Sequence, residues 1–207
     1  MRNLRLAILV SGNGSVVRTV LRVCADGTVD GDVIAVGSNW ECPALGLARA
    51  ANVPTVVACP RDDFDSRTAR DAALAGIIRD AGVNLVVVGG YNEPLEASFF
   101  EHVRADVIGM YPALLPAFGE LPEAIGPALE YGVKTIGVTI HFRTPLTGST
   151  GPIIAQEPLP VTHEDTVAGV TQRVIALESE FLPRVLAAFA EGRVIRENEH
   201  VRVLPGQ

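Results

Sequence analysis

Through the first half of the chain, short unbroken apolar runs alternate with segments whose apolar residues recur every three or four positions. Leu6 to Val10, Val33 to Val36, Thr55 to Ala58 and Leu85 to Val88 are continuous and rich in Val, Leu and Ile, the pattern of strands buried on both faces. Between them, Val16 to Cys24, Ala44 to Ala51 and Arg67 to Asp80 have helical spacing, with Asp65 or Ser66 suited to cap the third. Strand and helix in alternation predict a parallel sheet flanked by helices.

The second half breaks that rhythm. Val107 to Met110, Thr135 to Phe142 and Ile153 to Glu157 read as strands, and Gly and Pro between the last two predict an antiparallel pair at the sheet edge. A long helix follows over Asp165 to Glu191, and Pro183 is expected to kink or interrupt it because it lacks a backbone donor. Val194 to Leu204 fits a short hairpin. The fold class is therefore α/β, Rossmann-like, mostly parallel with an antiparallel edge.

Composition narrows the function. A chain of 207 residues with 48% hydrophobic content suits one α/β domain spanning 1–207. A net charge of −7 with scattered basic residues argues against a nucleic-acid surface. Leu6 to Val10 is too short for a membrane span or a signal-peptide core, so a cytoplasmic protein with no membrane partner is expected. Cys24, Cys42 and Cys59 form no C-x-x-C pair and have no His at ligand spacing, so reduced, structural thiols and no metal are expected. Oligomeric state is not legible in the sequence.

Ser11-Gly12-Asn13-Gly14-Ser15 lies between a buried strand and a helix. There the first backbone N–H groups of the helix point outward and glycines allow close approach, which suits an anion; the hydroxyls of Ser11 and Ser15 could add donors. The plain alternative is a strand-to-helix turn whose glycines only supply permissive dihedrals. A dinucleotide site would need a third glycine where Val17 stands and an acid after the second strand, which ends instead in Gly37-Ser38-Asn39.

LAILVSGNGS near the start, FDSRTARDAAL from Phe64, LVVVGGYNEPL from Leu85, GVTIHFRT from Gly137 and GPIIAQEPLPV from Gly151 occur in the order and spacing of the folate-dependent formyltransferase family, which the chain resembles over nearly its whole length. The resemblance implies that the Gly12, Asn13, Gly14 and Ser15 turn holds a substrate phosphate and that Glu178 binds ribose hydroxyls. A solvated helix carboxylate is the ordinary reading of Glu178. The small-molecule partner implied is thus a phosphoribosyl-type amine. It also implies a reduced-folate cosubstrate, 10-formyltetrahydrofolate or a relative, held near Arg67, Tyr91, Asn92, Glu93, Leu95 and Leu146. Here the sequence departs from the family: Glu93 stands where an Arg is usual, Pro94 removes a donor, and the loop from Thr144 to Thr150 has no carboxylate.

The largest departure is in VIGMYPALLP, Val107 to Pro116, where the family frame is N-x-H-P-S-L-L-P. Gly109 takes the Asn position and Tyr111 the His position, while the usual Asp falls opposite Ser149, or Gly148 or Thr150 in a loop one residue longer. In the family that Asn and His stabilise an oxyanion and the Asp orders a proton-shuttling water. His141, in TIHF, matches a strand His that points into the family's site, and Tyr111 can donate through its phenol. His141, Tyr111 and Ser149 are therefore the candidate catalytic set, with a half-buried structural His as the plain alternative for His141. Three readings follow: a formyltransferase with rewired catalysis, a diverged enzyme of the same fold, or a non-catalytic binding protein.

Overall fold

A computed structural model of the chain describes residues 3–119, 121, 123–145 and 151–206. Its main sheet is seven-stranded, in the order β3-β2-β1-β4-β5-β6-β7. Strands β1 (Leu4–Leu9), β2 (Gly31–Ser38), β3 (Thr55–Ala58), β4 (Leu85–Val88) and β5 (Asp106–Tyr111) are parallel, whereas β6 (Thr135–Phe142) and β7 (Ile153–Pro160) run antiparallel at the edge. The strands are unbroken apolar runs because both sheet faces are covered. Leu6 and Ile8 of β1 join one core cluster while Ala7 and Leu9 join the other, and Leu85 and Val87 of β4 are divided in the same way from Val86 and Val88.

Helices α1 (Ser15–Ala25), α2 (Pro43–Ala50) and α6 (Val167–Ala190) contribute to the first cluster, and α3 (Arg67–Asp80) and α4 (Ala97–Val103) to the second. Ser66 is the N-cap of α3, accepting the Ala69 N–H at 3.1 Å. The apolar pattern did not reveal α4 or α5 (Ile125–Tyr131), whose seven residues each are too short to show a helical period. Pro183 lies inside α6 without interrupting it. Packing of Phe181, Leu182, Val185 and Leu186 in the core holds the helix across the missing donor. A hairpin of β8 (Val194–Glu197) and β9 (His200–Val203) closes the chain. No helix among the described residues is long and apolar enough to cross a membrane.

Strand order reverses between β1 and β4, so the loops leaving their carboxyl ends open a crevice there, the usual ligand position in an open α/β sheet. Tight packing forms its floor. A β-carbon on Gly89 would lie 2.7 Å from Val16, so only glycine lets the end of β4 pass under α1.

Candidate active site

The turn after β1 is a main-chain device. Gly14 is the N-cap of α1 at φ 77, a left-handed conformation that favours glycine, and a β-carbon there would approach Leu47 to 2.9 Å and Ala44 to 3.0 Å. The first bond of the helix runs from the Arg18 N–H to the Gly14 carbonyl at 2.9 Å, so the N–H groups of Ser15, Val16 and Val17 precede any helical partner. No side chain among the described residues caps the helix. A β-carbon on Gly12 would meet nothing within 4 Å, which leaves room for an anion.

Ser11 does not add a donor to this cradle. Its hydroxyl donates to Asn39 Oδ1 at 2.6 Å and accepts the Asn92 N–H at 3.2 Å, while its backbone N–H binds the Gly90 carbonyl at 2.9 Å. Asn39 Nδ2 then donates to Asn92 Oδ1 at 2.9 Å, and Trp40 Nε1 donates to the Ser11 carbonyl at 2.7 Å. These bonds join the loops after β1, β2 and β4 into one rim. Asn39 and Trp40 gave no signal in the sequence, because their partners lie 28 to 53 residues away.

The segment Gly90 to Leu95 is turned inward. Tyr91 is buried and Leu95 packs against the same core, so the segment's outward face is chiefly main chain together with Asn92 and Glu93. The Tyr91 hydroxyl has no hydrogen-bond partner among the described residues, and burial raises its pKa well above the usual phenol range. Glu93 is paired with Arg70, a fully buried residue of α3 whose Nη1 lies 2.6 Å from Glu93 Oε2 and whose Nε lies 2.9 Å from Asp71 Oδ1. The hydrogen bond to Arg70 holds the Glu93 carboxyl below its ordinary value. Asp71 also accepts the Glu96 N–H at 2.8 Å, and Arg67 binds the Pro94 carbonyl at 2.7 Å and Glu96 at 2.8 Å. Arg67 thus braces the segment from outside.

Across the sheet, β5 and β6 bring together Gly109 and His141, directly paired, and Tyr111 and Thr139, paired two residues on. His141 is buried, and its Nδ1 lies 3.0 Å from the Phe142 carbonyl. A carbonyl can only accept, so the proton of the neutral ring is assigned to Nδ1, leaving Nε2 as an acceptor. Burial is the main influence on this ring and outweighs the Phe142 bond; with the charge of Arg143 it brings the imidazole down to about 4. Nε2 faces Gly109, 3.4 Å from where a β-carbon would stand.

Tyr111 turns away from that acceptor. Its hydroxyl lies 2.7 Å from the Phe118 carbonyl and 2.6 Å from the Leu121 carbonyl, so its one proton is committed to the loop that follows β5. Thr139 completes the anchorage, donating to the Ala113 carbonyl at 2.6 Å and accepting the Leu115 N–H at 3.0 Å, while Gln156 Nε2 binds the Leu115 carbonyl at 2.9 Å. Ser149 and Leu146 lie outside the described residues. Glu178 is half-buried on α6, the helix packed beside α1. It has no hydrogen-bond partner among the described residues, and burial raises its carboxyl to about 7.

Arg143 carried no signal in the sequence. Its Cδ and Cγ lie 2.8 and 3.1 Å from the position a β-carbon on Gly109 would take, so its aliphatic arm fills the space where an Asn side chain would begin. Burial lowers its guanidinium below the ordinary value, which still leaves it charged at neutral pH.

This placement, outward main-chain donors at the switch point with titratable side chains two strands away, is the arrangement in which open α/β folds commonly hold small ligands across the carboxyl edge of the sheet. The chain belongs to the formyl transferase family, whose sequence profile matches residues 4–186. It is 37% identical over 186 residues to the phosphoribosylglycinamide formyltransferase of Mycobacterium tuberculosis strain H37Rv, covering 90% of this chain and 85% of that one. To the Escherichia coli K12 protein of the same name it is 34% identical, covering 99% and 95%. The crystal structure of glycinamide ribonucleotide transformylase 1 from Symbiobacterium toebii superposes with a TM-score of 0.92 at 37% identity, covering 98% and 95%.

Proposed function

We propose that this protein transfers a formyl group from a reduced folate, 10-formyltetrahydrofolate or a relative, to the amine of a phosphoribosyl-type acceptor, with His141 as the proton acceptor. The observation that carries this reading is the His141 ring, which is neutral and holds an unprotonated Nε2 toward Gly109, beside the Arg143 arm. An attacking amine must lose a proton as it forms its bond to the formyl carbon, and an acceptor in a fixed place can take that proton and return it to the leaving nitrogen.

The binding groups support the same reading. Main-chain donors of Gly12, Asn13, Gly14 and Ser15 suit a phosphate. Glu178, without a partner among the described residues, is suited to accept from ribose hydroxyls. On the folate side, Arg70 pairs with Glu93 and turns its carboxylate toward α3, which weakens its repulsion of a ligand that carries carboxylates. The site thus fits a reduced folate through main chain, with Arg67 bracing the segment that would hold it.

Tyr111, whose hydroxyl is committed to the Phe118 and Leu121 carbonyls, then serves the loop after β5 and not the reacting atoms. The test is a titration of glycinamide ribonucleotide and of 10-formyl-5,8-dideazafolate against the purified protein, followed by a formyl-transfer assay. Micromolar binding of both with measurable transfer is expected. Binding of neither ligand would overturn the proposal.

A further inference from the structure

Gly109 and Arg143 are a matched pair. In the antiparallel register Gly109 faces His141, and the Arg143 N–H bonds the Val107 carbonyl at 2.8 Å, so Arg143 sits two residues from His141 on the same face of the sheet. From there its arm crosses Gly109. At 2.8 Å from the Arg143 Cδ, any β-carbon at position 109 would force the arm aside. Asn at 109 and Arg143 in this place are therefore mutually exclusive. Loss of a side chain at one position makes room for a longer one from the neighbouring strand.

We infer that Arg143 is a catalytic residue, the donor that stabilises the oxyanion of formyl transfer, and that Gly109 is what admits it. The inference rests on the function proposed above. A guanidinium has five N–H donors in a rigid plane and keeps its charge, so it is suited to an oxygen that becomes negative. It also divides the work with His141, whose Nε2 acceptor faces the same glycine that the Arg143 arm crosses.

The step balances. The acceptor amine forms a bond to the formyl carbon, and the carbonyl electron pair moves to oxygen, where Arg143 donates hydrogen bonds. The ammonium proton passes to His141 Nε2. The oxygen pair then re-forms the carbonyl, the bond from carbon to the donor nitrogen breaks, and that nitrogen takes the proton back from His141. No oxidant, reductant or metal is needed.

Sodium formate is a probe of this donor that needs no acceptor amine. In an NMR titration against sodium chloride at equal ionic strength, formate should shift the Arg143 Nε–H and His141 ring signals of the wild type. Arg143→Met and Gly109→Asn should both abolish the response, and Arg143→Lys, which keeps an aliphatic arm and the charge, should only weaken it. Circular dichroism establishes that each variant is folded. An undiminished formate response in folded Arg143→Met, or none in the wild type, overturns the inference. In the transfer assay Arg143→Met should lower kcat by ~10²–10³ with little change in KM, and an unchanged kcat would overturn it equally. A wild type that binds neither glycinamide ribonucleotide nor the folate analogue removes the proposed function and the reaction assigned to Arg143, whereas the formate experiment, which uses neither ligand, separately reads whether Arg143 and Gly109 form a donor site.

Discussion

At the ends of β1 and β4 the crevice is made by main chain, whereas at β5 and β6 it is made by side chains. The first region depends on Gly14 at φ 77, on Gly89 against Val16, and on loops joined through Ser11, Asn39 and Asn92. Its donors are amide groups that every residue but proline carries, so what the sequence must keep is the glycine geometry. The second region depends on which atoms reach the space above Gly109. There the Arg143 arm lies where a side chain at position 109 would begin, so the two positions compete for one volume. A site built from backbone changes little as sequences diverge, and one built from side chains can be rebuilt in place.

The sharpest way to break that contrast is at His141. Gln keeps polarity but cannot take a proton at neutral pH, so His141→Gln should lower kcat for formyl transfer by roughly 10²–10⁴, with folding intact by circular dichroism. Tyr111→Phe should instead act on stability, costing about 1–3 kcal/mol in urea unfolding because the Phe118 and Leu121 carbonyls lose their donor. If Tyr111→Phe cost more in kcat than His141→Gln, the phenol and not the imidazole would be the reacting group.

On the main-chain side, Gly14→Ala places a β-carbon at φ 77 against Leu47 and Ala44. A stability loss of about 1–3 kcal/mol is expected from the strained conformation. More telling, the rise in Tm that saturating phosphate gives the wild type should disappear. Persistence of the full phosphate effect in this variant would place the anion somewhere other than the turn.

The smallest effect sets the two regions against each other through pH. His141 falls from its unperturbed 6.5 to about 4 in the folded chain, so between those values the unfolded chain binds more protons. Its contribution to stability is therefore present at neutral pH and lost as pH falls through that window. Glu178 rises from 4.5 to about 7, so between those values the folded chain binds more protons. Its contribution is full below about 4.5 and is lost as pH rises toward 7. The two oppose each other across the weakly acid range, and the wild-type Tm should change little from these groups there. Glu178→Gln should expose the His141 slope, with Tm dropping more steeply toward acid than in the wild type. Equal slopes would show that Glu178 titrates normally.

Much of the fold was legible because it follows from local pattern. Two-sided burial makes β1 and β4 continuous apolar runs, and the switch to an antiparallel edge was marked by Gly and Pro between β6 and β7. Arg67–Asp80 was bounded correctly by its Ser66 cap. What failed were elements too short to show a period, α4 and α5, and the effect of Pro183, which core packing overrides. In the candidate site, the glycine turn between β1 and α1 was likewise visible in the chain alone.

By itself, then, the sequence determined the order of the strands and of the longer helices and the position of the glycine turn after β1, because each depends on residues close together in the chain. Only the tertiary structure decided where the remaining side chains went. Ser11 is drawn to Asn39 and Asn92, Tyr111 to Phe118 and Leu121, Glu93 to Arg70, and Arg143 into the space over Gly109. Each of these joins residues separated in sequence, and a hydrogen-bond partner or a free volume at such a distance exists only once the strands and loops are packed together.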